Sequence, residues 1–151
     1  MFRNNLKLAG ATAIVAAAAA VASSSPAATP DAAYNPHCVL ATLHGYYGFT
    51  LSGKRPDGQV VGVAMTYFDG RGSLSQTDNT NADSGVGPPD RPADGKYTLN
   101  SDCTGTMTII PDVGPPLDLA IAVDNNGTEV RTAAMTPGVL VTSTGHRVLQ
   151  W

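Results

Sequence analysis

Apolar and polar residues along much of this chain alternate with a period of two, the spacing of a strand with one face toward a core and one toward water. In residues 60–68, Val61, Val63, Met65 and Tyr67 alternate with Val60, Gly62, Ala64 and Thr66. In residues 117–124, Leu117, Leu119, Ile121 and Val123 alternate with Asp118, Ala120, Ala122 and Asp124. Residues 103–110 set Thr104, Thr106 and Thr108 on one face and Met107 and Ile109 on the other. Residues 43–52 are aromatic and β-branched. Residues 73–80 form a more polar strand whose one large apolar residue is Leu74. Residues 96–100 place Tyr97 and Leu99 on one face, and residues 128–135 and 139–149 complete the series. Turn chemistry separates these runs at residues 53–58, Asp69-Gly70, Asn125-Asn126-Gly127 and Thr136-Pro137-Gly138, where Asp-Gly and Asn-Gly supply the left-handed conformations of tight reversals. Residues 81–94, with Gly85, Gly87, Pro88, Pro89 and Pro92, read as a loop.

Eight strands joined in sequence by short turns predict a meander, because consecutive strands usually pair. An open sheet of that size leaves two edges unprotected. Closure into an all-β, eight-stranded antiparallel up-and-down barrel removes them. A two-sheet β-sandwich is the alternative that strand count alone leaves open. Gly45, Gly48, Gly62 and Gly145 fit places where a small barrel bends. Beyond the opening segment, no run of ten or more residues carries a helical period.

That opening segment changes the domain picture. Arg3 and Lys7 precede an uncharged, alanine-rich stretch that ends in Ala20-Val21-Ala22. Residues 1–22 therefore read as a signal peptide. The run is short of the roughly 20 apolar residues of a membrane span, so no stable span is expected after cleavage. Residues 23–37, rich in Ser, Ala and Pro, read as a flexible leader, and residues 38–151 as the barrel domain. The expected location is secreted or periplasmic. Without the first 22 residues, seven Lys or Arg face twelve Asp or Glu. No basic patch with interleaved aromatics exists, which excludes nucleic acid and disfavours an anionic membrane surface. Cys38 and Cys103 are the two cysteines. In an oxidising compartment they are expected to pair. No CxxC and no zinc-type histidine spacing is present, so no metal is expected.

Several segments together resemble a known family. Residues 38–53 read CVLATLHGYYGFTLSG, 60–78 VVGVAMTYFDGRGSLSQTD, 95–109 GKYTLNSDCTGTMTI and 123–147 VDNNGTEVRTAAMTPGVLVTSTGHR. Their order and their YGF, FDGxG and DCTGT features resemble a family of exported bacterial proteins across the whole mature domain. The resemblance implies a compact eight-stranded barrel similar to the lipocalin and allene oxide cyclase type, bridged between Cys38 and Cys103, with no settled activity.

Chemical motifs add little. No GxSxG, HExxH, P-loop or dinucleotide fingerprint is present, so no cofactor is expected and no catalytic residue is identified. The candidate ligand-binding residues are Tyr46, Tyr67, Tyr97, Arg131 and His146. The tyrosines offer an apolar wall with hydroxyl handles, or else ordinary core packing. Arg131 shares a face with Glu129, with Arg147 across the ladder. It is either an outer ion pair or a buried charge serving a ligand. His146 approaches His44 if the first and last strands are neighbours. Asp69, Arg71 and Asp78 invite an acid–base reading, with turn capping and solvation as the plainer one. The expected function is binding of a small, mostly apolar molecule. The alternatives are a cofactor-free cyclase or isomerase acting by cavity shape, and a solid structural domain. An interior volume above about 300 Å³ separates the first two from the third. An ionisable group facing the cavity favours the enzyme.

Overall fold

The computed structural model describes residues 37–124 and 126–148. The signal peptide read over residues 1–22 and nearly all of the leader lie outside them. Among the described residues, no helix is long and apolar enough to cross a membrane.

The chain runs β1 (His44–Arg55), β2 (Gly58–Asp69), β3 (Ser73–Ala82), β4 (Gly85–Val86), β5 (Arg91–Leu99), β6 (Thr104–Pro111), β7 (Leu117–Val123), β8 (Glu129–Ala134) and β9 (Leu140–Arg147). Each long strand pairs antiparallel with the next, and β9 returns to β1 through Tyr47 to Lys54 opposite Arg147 to Leu140. The sheet is therefore a closed eight-stranded antiparallel barrel, not a sandwich. The two-residue β4 only folds back to pair with the end of β3.

Three local expectations are revised. The β1–β2 hairpin tightens to Pro56-Asp57, with Arg55 opposite Gly58. β5 begins at Arg91, inside the stretch that reads as a loop, because Pro92 sits on the outer wall and does not stop the pairing of β3 with β5. A single 3-10 turn, Leu40–Thr42, precedes β1 where no helix was expected.

Period two sorts the side chains as a closed wall requires. Tyr47, Phe49, Ala64, Thr66, Phe68, Leu74, Tyr97, Met107, Leu119, Ile121 and Val130 are buried inside. On β2 the inward set includes the small Ala64 and Thr66 along with Val60 and Phe68. Val61, Val63 and Met65 lie on the outside, each about half exposed.

One end of the barrel is sealed. Phe68 stands edge-on between the Tyr47 and Tyr97 rings, at centroid distances of 5.2 and 5.1 Å. The 3-10 turn lies across this end. The Tyr97 hydroxyl donates to the carbonyls of Leu40 and Leu43, each at 3.0 Å. The Cys38–Cys103 disulfide forms here, with Cα atoms 5.0 Å apart. The Cys38 amide also donates to the Ser101 carbonyl at 3.2 Å. Arg147 points inward, where Nη2 donates to the Thr42 carbonyl at 2.9 Å and Nε to the Tyr47 hydroxyl at 3.0 Å. That hydroxyl in turn donates to the Gly127 carbonyl.

Candidate functional site: an interior cavity

The other half of the barrel is hollow. A cavity of about 340 Å³ runs from mid-barrel to the loops at the unsealed end. Its deep wall is apolar, built from inward positions of five strands: Phe49 and Leu51, Ala64, Met107 and Ile109, Leu119, and Val141. The mouth is set by Arg55, Thr80, Thr136, Val139 and residues 113–116. Gly145 explains part of this shape. A Cβ there would collide with the Phe49 ring, so the glycine makes room for an aromatic in the wall rather than for a bulge.

One wall is polar, and it comes from β3. Below Leu74, the inward positions of this strand are Gln76, Asp78 and Thr80. Asp78 is buried and takes a two-pronged contact from Arg91 of β5, with Nε and Nη2 donating at 3.1 Å to its two oxygens. The Gln76 amide donates to Asp78 at 3.2 Å, and the Thr66 hydroxyl donates to Gln76 at 3.0 Å. Opposite, Thr132 and Ser143 share a 2.7 Å hydrogen bond. No buried side-chain polar atom among the described residues lacks a partner. Two guanidinium groups and one carboxylate thus face the cavity. Arg91 is matched by Asp78, and among the described residues Arg55 has no ion-pair partner.

The residues singled out from the sequence lie elsewhere. Tyr46 and Tyr67 stack on the outer wall, ring centroids 4.9 Å apart, beside a solvent-facing groove of about 360 Å³ that includes Met65, Ser75, Thr77 and Asp94. That groove is slightly larger than the cavity, but it lies on the convex face and has no opposing wall. Tyr97 is inside, in the sealed half, with its hydroxyl committed to the closing turn. Arg131 is on the outside, three-quarters exposed, with Nε 2.6 Å from Glu129. His146 is beside it, with Nδ1 3.8 Å from the other Glu129 oxygen. His146 sits opposite Gly48, whereas His44 lies four residues away along β1 opposite Asp69. The two histidines are therefore not a pair. Arg147 does not face Glu129 and Arg131 across the ladder, because strand parity turns it inward. None of the five candidates lines the cavity. Among the described residues, no group of three or more His, Cys, Asp or Glu is placed to hold a metal ion.

Of the cavity's charged groups, Asp78 had a signal in the sequence, as a carboxylate in a polar strand. Arg55 and Arg91 had none, since both fall in stretches that read as turn or loop.

No protein-family model matches this chain, and no curated protein does. Among solved structures it is similar to a redesigned β-barrel, with 21% identity and a TM-score of 0.52 over 73% of this chain and 95% of that one. The similarity is one of fold.

Proposed function

We propose that this protein is an exported barrel that binds one small, mostly apolar molecule in its interior, in the manner of lipocalin-type barrels. The observation that carries this reading is the cavity of about 340 Å³ with its apolar deep wall, which falls in the size range of small-molecule sites. A purely structural barrel has no need of it, because an unfilled interior forfeits packing energy. Export is supported by the signal-type segment at residues 1–22 and agrees with the Cys38–Cys103 bridge.

A second reading has its own observation. Asp78, Arg91 and Arg55 face the cavity, so a cofactor-free cyclase or isomerase has charged groups with which to orient a substrate. The Asp78–Arg91 pair favours binding over proton transfer. Both carboxylate oxygens of Asp78 are already engaged, by Arg91 and by Gln76.

Native mass spectrometry of the protein isolated from its own host tests the first reading. A retained small molecule that leaves on denaturation is expected. A cavity-filling variant, Ala64→Phe or Ser143→Phe, should lose both the adduct and the binding of a fluorescent apolar probe while keeping its thermal transition. Equal probe binding by wild type and by both folded variants would place the molecule outside the barrel.

A further inference from the structure

Resting on the reading just given, we infer that the cavity's ligand carries one acidic group, such as a carboxylate, and that Arg55 is the residue that holds it at the mouth. Three observations lead there. Arg55 is the last inward residue of β1, half-buried, and lines the cavity. The cavity's one carboxylate, Asp78, is already engaged by Arg91 at 2.8 Å and by Gln76. Two acidic side chains of the neighbouring loops are hydrogen-bonded elsewhere, and Asp112 lines the outer groove. Asp83 accepts from the Gln59 amide at 2.9 Å, and Asp57 accepts from the Ser84 hydroxyl at 3.0 Å. Among the described residues the cavity lining therefore holds one guanidinium without an ion-pair partner, at the mouth, in a chain whose net charge is −3.

The layout suits an amphipathic acid. Phe49, Met107, Ile109 and Leu119 take an apolar body at depth. A guanidinium at the rim takes the carboxylate through paired N–H donors. Thr80 and Thr136 at the same level add hydroxyl donors. A partly desolvated guanidinium without a counter-charge costs free energy, and a bound acid offsets that cost. A neutral body of the same length would not.

Octanoate and 1-octanol, equal in chain length, test this by isothermal titration at neutral pH. Octanoate should bind wild-type protein roughly tenfold or more tightly than the alcohol, the size of one charge-assisted contact. Arg55→Met should abolish the difference between octanoate and the alcohol, while Arg55→Lys should restore part of the preference. Equal binding of the two probes by wild type, or a preference that survives Arg55→Met, would overturn the inference and leave apolar binding intact. Failure of both probes to bind would overturn the binding reading as well.

Discussion

At the scale of single residues, the interior divides into groups that close the barrel and groups that face its space. Tyr97 and Tyr47 belong to the first kind. Burial raises the pKa of both phenols, and each hydroxyl serves a main-chain carbonyl. Replacing Tyr97 by Phe keeps the ring against Phe68 but removes the donor to Leu40 and Leu43. It should lower stability by about 1–2 kcal/mol without changing probe binding, as read by urea unfolding and by titration of the same sample. Asp78 and Arg91 belong to the second kind. Arg91→Met strands a buried carboxylate on Asp78 and should cost about 1–3 kcal/mol, reduced from the fully buried case because Arg91 is partly exposed. Asp78→Leu combined with Arg91→Met should recover most of that loss in the same urea assay. If recovery occurs, the pair is not required for stability.

At the scale of elements, the strands and turns were legible because alternation and Asx-Gly turns are local signals. Eight of the nine strands follow them, with β5 beginning earlier than its prolines suggest. The inner and outer faces were less legible. On β2 the apolar residues Val61, Val63 and Met65 face solvent, while the smaller Ala64 and Thr66 stand inward opposite Phe49 and Tyr47 of β1. Bulk is therefore a poor guide to inwardness in a narrow barrel, and Tyr46 and Tyr67 lie on the outer wall while Arg55 lines the cavity. The polar strand β3 carried the better clue. A single apolar anchor, Leu74, followed by Gln76, Asp78 and Thr80 on the same face, marks a wall turned toward something other than a packed core. Only the β3–β5 pairing, which sets Arg91 opposite Asp78, shows that the two meet there. Phe68, fully buried between two rings on the opposite half, is ordinary core by contrast. Phe68→Ala should cost about 3–5 kcal/mol, measured as a shift of the urea midpoint.

At the scale of the whole molecule, stability should be bounded on both sides of neutral pH. The Asp69 and Asp102 carboxyls are held below their usual range, Asp69 by the amides of Ser73 and Arg71 and Asp102 by the hydroxyl and amide of Thr104. Burial works against ionisation of Asp124, but hydrogen bonds from Thr128 and Glu129 outweigh it and lower its pKa as well. Groups of this kind stabilise the fold above their unfolded pKa of about 3.9 and lose that contribution as pH falls through the lower folded value. Tyr47 and Tyr97 act in the opposite range. With folded pKa values above the unfolded value of about 10, they cost stability as pH rises past it, since only the unfolded chain ionises them readily. Urea midpoints measured across pH should therefore hold through the neutral range and fall below about pH 4 and above about pH 10. Reduction of the Cys38–Cys103 bridge should remove about 2–5 kcal/mol. Because the bridge lies at the sealed end, the protein that stays folded should keep its probe affinity.

The sealed end has one more consequence. The described chain enters there at Cys38, whose amide is bonded to Ser101, and leaves there at Val148, whose amide is bonded to Tyr46. Both attachment points therefore lie on the side away from the mouth. A protein anchored to a sensor chip at either of these points would stand like a cup on its base, its opening toward the sample.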